Sequence, residues 1–491
     1  MLSEIFSSGS EARLGSLGIL PFIPVPALPN IIAEWAAILP LVCHLATQRD
    51  DYLTTGDIAL RGRLCVGVFP RLGTLSGLGR LLGRKNKYLD SASIRAGSSR
   101  TVWDIKWGSA FPCANGAACA AITRYLRSQG QASAPPLRMP ERLSPPERPP
   151  QLPQLSFEKP SLRSNISRIS SCGDSGANRP KKDDGVRRNQ VLHVYKLGYC
   201  GQKRPSLRRR LDRIGLSVPG RILWSSLLLA LAVFFALFGS YGTSVLVLCT
   251  SVSELVAQGV TIRRPSTYLK NTEAHDACML VASHQNATEW HLFIGDRGVV
   301  DTLLNKPMFV LPDERSASVF AAAWFWVANL LQFAAMTFVA AQKGWDGVSM
   351  VVLLAVHWAL RWFPHGDQYL ASNWVEREGI GAHVRSFEFT GRTAMMGAIQ
   401  ILAGNACTRW MDDILVPHAR REAWLKCLRG ETLTEKLEPR DALWLDFALE
   451  GSLAAANVLM QTFGISDGRC PLYINPLSAI SVTRVPETAR L

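Results

Sequence analysis

The sequence predicts a mainly α-helical integral membrane protein with about four transmembrane helices arranged as two hairpins. A small α/β unit is expected between the hairpins, and a long disordered basic cytosolic linker ahead of them. Three observations carry this prediction. Ile222 to Ser253 is a run of 32 residues without Asp, Glu, Lys or Arg. A second uncharged run, Ser316 to Gln342, is 27 residues long. Between Arg187 and Arg221 lie ten Lys or Arg and a single acid, Asp212. An uncharged span preceded by a dense positive flank marks a membrane helix whose upstream side stays in the cytosol.

Residues 1–49 form an apolar, Pro-containing N-terminal segment. Met1 to Arg13 carries Glu4, Glu11 and a Ser/Gly cluster where a signal peptide needs a basic region and an apolar one, so membrane entry is expected from an internal segment. Pro21, Pro24, Pro26 and Pro29 forbid a regular helix over the uncharged stretch 14–33. Ile31 to Ala46 is more helical, with Glu34 its one charge and Pro40 a kink. Its 16 residues fall short of the roughly 20 of a span, which leaves an interfacial or buried helix and a true span both open.

Residues 50–127 read as a small mixed region with apolar pieces at Leu64–Phe69 and Cys119–Tyr125. Gly77-Leu78-Gly79 followed by Gly83 echoes a dinucleotide loop, but the third glycine is displaced and no strand–turn–helix frame surrounds it. Arg84, Lys85 and Lys87 there read as a basic surface patch. Residues 128–215 are the expected linker. Nine prolines fall between Pro135 and Pro160, and a Ser/Arg-rich piece continues to Ser171. Such composition favours polyproline II or disorder, because it buries too little apolar area to offset ordering entropy. A docking or phosphorylation role is the alternative to a plain spacer.

The first hairpin is expected within 216–262. As one helix, the uncharged run would be about 48 Å long against a bilayer core of about 30 Å. The small residues Gly239-Ser240-Tyr241-Gly242-Thr243 place a turn between helices at 222–239 and 244–260; a single crossing with an interfacial tail is the alternative. Glu254, inside the second helix, must face the bundle. Residues 263–315 hold the α/β unit: strands Ala277–Ser283 and Glu289–Ile294 flank His284-Gln285-Asn286, and Gly295-Asp296-Arg297-Gly298 leads into an amphipathic Val299–Asn305. The second hairpin, 316–363, pairs Ser316–Gln342 with Gly347–Phe363 across Lys343-Gly344-Trp345-Asp346. Arg361 would snorkel beside Trp358 and Trp362. Residues 364–491 are a tail with amphipathic helices at Arg420–Arg429, Arg440–Leu449 and Ser452–Phe463.

The net charge of +15 invites a nucleic-acid reading. It is disfavoured because much of the excess sits in the approach to Ile222, where membrane sidedness and anionic lipid headgroups explain it. The expected partners are therefore the lipid bilayer, and anionic headgroups or a partner protein bound by the basic Pro-rich linker. Eleven cysteines show no CxxC pair, as expected of reduced thiols facing the cytosol.

The candidate catalytic residues are His357, inside the fourth apolar segment, with His365 and Asp367 just past its end. An ionisable group within a membrane segment needs a partner, and His with Asp near a bilayer surface could perform acid–base work on a lipid or isoprenoid. The competing reading is a hydrogen-bonded packing histidine and a polar turn. His275, Asp276, Cys278, His284 and His291 match no closed metal site, and Gly295–Gly298 has too few glycines to cradle phosphate. No cofactor is indicated. Asn286-Ala287-Thr288 is a glycosylation sequon, usable only from the lumen. Arg263 and Arg264 behind the first hairpin favour a cytosolic loop, so Asn286 is expected to be unmodified and both termini cytosolic.

Several strings resemble predicted multi-pass membrane proteins of filamentous ascomycete fungi. They are Asn271–Val281, His284-Gln285-Asn286-Ala287-Thr288, Ile294–Gly298, Leu303–Lys306, His44–Asp51 and Trp410-Met411-Asp412, and the resemblance around them extends over about a third of the chain. That group has no assigned activity, so the resemblance implies no chemistry; the expected location, from the spans, is an endomembrane or the plasma membrane. The function expected is that of a non-catalytic accessory or adaptor protein. A membrane enzyme using His357, His365 and Asp367 is the alternative. A transporter subunit is less favoured, because Glu254 is the only acid within the spans.

Overall fold

A computed structural model of the chain describes residues 26, 28–94, 100–131, 135–139, 189–201, 218–311, 315–342, 344–362, 366–404, 407–433 and 438–465. The chain divides into two compact units, one of 1–136, 193–386 and 407–415, the other of 137–192, 387–406 and 416–491.

The first unit contains helices α1 (Asn30–Ala46), α2 (Asp51–Arg61), α3 (Thr74–Arg84), α4 (Asn86–Ile94) and α5 (Gly116–Gln131). It continues with α6 (Val218–Leu237), α7 (Tyr241–Gly259), α8 (Arg297–Leu304), α9 (Arg315–Gln342), α10 (Trp345–Trp362) and α11 (Asp367–Arg377). The strands are β1 (Thr101–Asp104), β2 (Ser109–Pro112), β3 (Leu137–Arg138), β4 (Gln190–Tyr199), β5 (Ala277–Ala282), β6 (Glu289–Gly295) and β7 (Ile380–Phe389). They form one seven-stranded sheet in the order β2-β1-β5-β6-β4-β7-β3. β1, β2, β5 and β6 are antiparallel neighbours, with Met279 opposite both Asp104 and Phe293, whereas β3 and β7 run parallel. β3, residues 190–192 of β4 and residues 387–389 of β7 are assigned to the second unit.

The helices α6–α7 lie over the first uncharged run, α9 over the second and α10 over the expected Gly347–Phe363 segment. Gly239 and Ser240 break the first run and Gly344 lies between α9 and α10. Their polar groups are matched inside the bundle. The Asp346 carboxylate, 5% exposed, accepts from the Gly242 and Thr243 amides at 2.7 and 2.8 Å and from the Thr243 hydroxyl at 2.6 Å. It caps α7 from the start of α10, satisfying amides that have no partner within their own helix. Glu254 accepts from the Val66 amide at 2.9 Å, and Gln332 donates to the Pro70 carbonyl at 2.6 Å. The segment carrying Val66 and Pro70 also buries Val68 and Phe69 among Leu228, Leu246, Val339 and Leu353 of these helices.

The turn Gly295-Asp296-Arg297-Gly298 is a structural knot. Gly295 has φ +111°, and a Cβ there would lie 2.1 Å from the Leu197 carbonyl oxygen, so only glycine fits. Asp296 caps α8 by accepting from the Val299 amide at 3.1 Å. The Arg297 guanidinium, 5% exposed, reaches Asp104 at 2.9 Å and Glu273 at 3.1 Å, tying β1 to the start of α8. Gly77, Gly79 and Gly83 all lie inside α3, so no dinucleotide loop exists there.

Four expectations are corrected. The α/β unit is not small: the strands Ala277–Ala282 and Glu289–Gly295 flank the expected turn, but they belong to the seven-stranded sheet. The linker expected to be disordered over 128–215 contains the end of α5, β3 and the buried strand β4, while 140–188 and 202–217 lie outside the described residues. β4 forms because Val191-Leu192-His193-Val194-Tyr195 is β-branched and aromatic, and it pairs within the sheet despite its basic neighbours. The expected helical tail, 364–491, contains the strand β7 amid its helices. Finally, Arg440–Leu449 and Ser452–Phe463 are one helix in the second unit, α14 (Pro439–Phe463). One stripe, Leu445, Ala448, Ser452, Ala455, Ala456, Leu459 and Phe463, is buried without interruption, and Gly451 falls off that stripe. α14 packs on α12 (Arg392–Leu402) and α13 (Ala419–Leu428).

By length and composition, two helices among the described residues are able to cross a membrane individually, Ser318–Gln342 of α9 and Pro439–Phe463; Ile222–Leu237 and Trp345–Ala359 are shorter apolar pieces. The Asp346 cap yields a prediction. Asp346→Ala leaves buried amides of α7 unpaired and should lower unfolding stability in detergent by about 2–3 kcal/mol, with Asp346→Asn intermediate. Thermal unfolding of the purified variants measures this; an unchanged midpoint for Asp346→Ala would contradict the cap.

Candidate functional site

Of the residues expected to carry chemistry, His357 and Asp367 lie among the described residues. His357 lies in α10 with its ring 6.3 Å from that of Phe69, and its Nε2 has no hydrogen-bond partner among the described residues. Asp367 opens the first turn of α11. His365 lies outside the described residues. Asn286 is exposed on the β5–β6 turn, its amide donating to His284 Nδ1 at 3.1 Å. Glu254, the acid on which a transporter reading relies, is engaged by the Val66 amide. Among the described residues no group of three His, Cys, Asp or Glu is arranged to hold a metal ion, and no disulfide joins the cysteines.

The sheet instead assembles a polar ladder that runs across β7, β4 and β6. Strand alternation puts His193 and Tyr195 on one face of β4, and Glu289 and His291 on one face of β6. His193 Nδ1 lies 2.7 Å from Ser386 Oγ on β7, and its Nε2 lies 3.2 Å from Glu289 Oε1. The Tyr195 hydroxyl lies 3.2 Å from His291 Nδ1, and the imidazoles of His193 and His291 stack at 5.4 Å. Arg127 of α5 pairs with the same Glu289 oxygen. Ser386, His193 and His291 are buried, whereas the Glu289 side chain is 49% exposed, so the ladder starts in the core and ends at solvent.

The charges are fixed by these contacts. The hydrogen bond from His193, aided by the nearby His291 and Arg127, holds Glu289 well below the usual carboxylate range and outweighs its partial burial. Burial, reinforced by Arg100 and His193, pushes His291 below the ordinary imidazole value. At neutral pH the ladder therefore holds an anionic Glu289 and a neutral His291. With the His193 Nε2 proton facing the carboxylate, Nδ1 accepts from the Ser386 hydroxyl. This orders a hydroxyl, an imidazole and a carboxylate in sequence, an arrangement that can relay a proton from the core to the surface. It also gives the buried Ser386, His193 and Tyr195 side chains hydrogen-bond partners, which a buried sheet face requires in any case.

Sequence reading missed most of this ladder. His193, Tyr195 and Ser386 fall in segments read as linker and helical tail, and His291 was weighed only as a metal ligand.

The chain matches no protein-family model, no curated protein and no solved structure. The likeness to fungal membrane proteins therefore rests on the quoted strings alone.

A pH dependence follows from His291. Folded, it stays neutral well below the value of 6.5 at which the unfolded imidazole gains its proton. Its contribution to stability is thus complete above that pH and is lost as pH falls below it, by at most about 1.4 kcal/mol per pH unit for one proton. Glu289 acts in the same direction, but only below 4.5. Melting temperature should therefore drop from pH 7 to pH 5, and His291→Gln should flatten that drop. Equal slopes for the two proteins would show that His291 is not the titrating group.

Proposed function

We propose that the chain is a multi-pass membrane protein with a non-catalytic accessory or adaptor role. In this reading the hairpins α6–α7 and α9–α10 sit in a bilayer, and the sheet half of the first unit stands on the cytosolic side. One observation supports it above others: the polarity of the helical bundle is inverted. Leu223, Leu227, Phe234, Val319, Phe320 and Leu330 are 51–71% exposed, while Asp346, Glu254, Gln332 and Thr243 turn inward and are buried. Water would disfavour so broad an apolar surface, whereas acyl chains match it. The basic stretch from Arg187 to Arg221 would then lie against anionic headgroups beside the sheet. The sheet and the Pro-rich segment offer the surfaces for a protein partner.

Alkaline carbonate extraction tests the membrane reading. The protein should remain with the membrane pellet, and release into the soluble fraction would sink it.

One observation favours the second reading, an enzyme acting on a lipid or isoprenoid through His357, His365 and Asp367. The His357 Nε2 is buried in an apolar bundle with no partner among the described residues, a position at which a polar ligand atom would be bound. Co-purification of a lipid that is lost on His357→Ala would support this reading over the adaptor.

A further inference from the structure

α1 is an apolar helix of the first unit that the two hairpins leave unassigned. It packs on α9 and α10, burying Ala33, Ala36, Ala37, Pro40 and His44. The opposite face is apolar and bare: Ile31 is 73% exposed, Trp35 71%, Ile38 52%, Val42 52% and Leu45 50%. A helix with small residues inward and large apolar residues outward repeats the inverted polarity of α6 and α9. It carries a single charged residue, Glu34.

Three contacts fix its direction. At its start, the Trp345 indole N–H donates to the Pro26 carbonyl at 2.6 Å, so the entrance to α1 meets the first residue of α10. One turn on, Gly347 lies so close to α1 that a Cβ there would be 2.7 Å from the Ala36 carbonyl carbon. At the far end, Phe69 lies between His44 of α1 and His357 of α10, at 6.2 and 6.3 Å between ring centroids. α1 and α10 therefore run parallel, end to end. With 17 and 18 residues they are about 25 and 27 Å long. α1 does not turn back midway. It reaches the end where Asp346 caps α7, which is the end remote from the sheet.

Beyond Ala46 the chain meets α2 at 82° and enters the core that packs on the sheet, where Ile58, Ala59 and Leu60 are buried. The charges agree with this direction. Arg49, Arg61 and Arg63 follow α1, whereas only Arg13, with Glu4 and Glu11, stands among residues 1–29. The bias towards positive charge on the cytosolic side puts the C-terminal end of α1 in the cytosol.

We infer that α1 crosses the bilayer as a fifth span parallel to α10, its face of Ile31, Trp35, Ile38, Val42 and Leu45 covered by lipid acyl chains. The chain before Asn30 then lies on the opposite side of the membrane from the sheet. This revises the expectation that both termini are cytosolic, and it rests on the membrane reading proposed above.

The test uses the full chain in sealed microsomal vesicles, with one epitope inserted at Ser8 and a second in the exposed turn at Gln285. Protease added outside should digest one epitope and spare the other until detergent opens the vesicles. The expected result is digestion at Gln285 and protection at Ser8; the reverse also supports the crossing, with opposite sidedness. Digestion of both epitopes, or protection of both, overturns the fifth span while leaving the hairpins in place. Loss of the protein from the vesicles on carbonate washing overturns the membrane reading itself.

Discussion

The carboxylate of Asp346 is the interaction on which the helical half of the first unit depends. It sits at the first turn of α10, yet its hydrogen bonds go to the first turn of α7, at 2.7 and 2.8 Å. One buried group thus sets the height and spacing of two hairpins that are far apart in sequence. Its neighbours extend the constraint. Trp345 on one side reaches Pro26, and Gly347 on the other brings α10 against Ala36, so α1 is positioned by the same turn. A polar residue here stabilises because its donors are fixed and water is excluded; in an open turn the same aspartate would contribute little.

The two halves of the first unit follow opposite polarity rules. Around the sheet, Trp103, Trp290, Tyr195 and Phe293 are buried, as in any water-soluble core. Among the long helices, Glu254, Gln332 and Asp346 are inside, while Phe320 and Leu330 face outward. The segment around Val66 and Pro70 joins the halves, since its backbone is satisfied by Glu254 and Gln332 of the bundle. Buried non-helical backbone needs such partners, and the Val66 amide and the Pro70 carbonyl both find a side chain of the bundle.

The helices were legible in the sequence because charge exclusion over some twenty residues is a coarse signal that survives without tertiary context. The breaks at Gly239 and Gly344 were legible for a similar reason. β4 and β7 were not. His193 and Lys196 make Gln190–Tyr199 look polar in isolation, and only the pairing with β6 and β7 reveals that His193 has partners in Ser386 and Glu289. The candidate site lies across three strands drawn from residues 193, 289–291 and 386, and no local pattern announces such a juxtaposition. The single helix α14 was hidden differently. Gly451 is a poor helix former, but it lies off the buried stripe, and packing on α12 overrides the local propensity.

The central claim is that acyl chains cover the outward apolar faces of the bundle. Labelling with a photoactivatable phospholipid, followed by peptide mass spectrometry, tests it most directly in the intact protein. The account predicts adducts on Ile31, Trp35, Leu227, Phe234, Phe320 and Leu330, and none on Trp103, Trp290 or Phe293 of the sheet core. Adducts confined to the sheet half, or absent from all six outward positions, would contradict it.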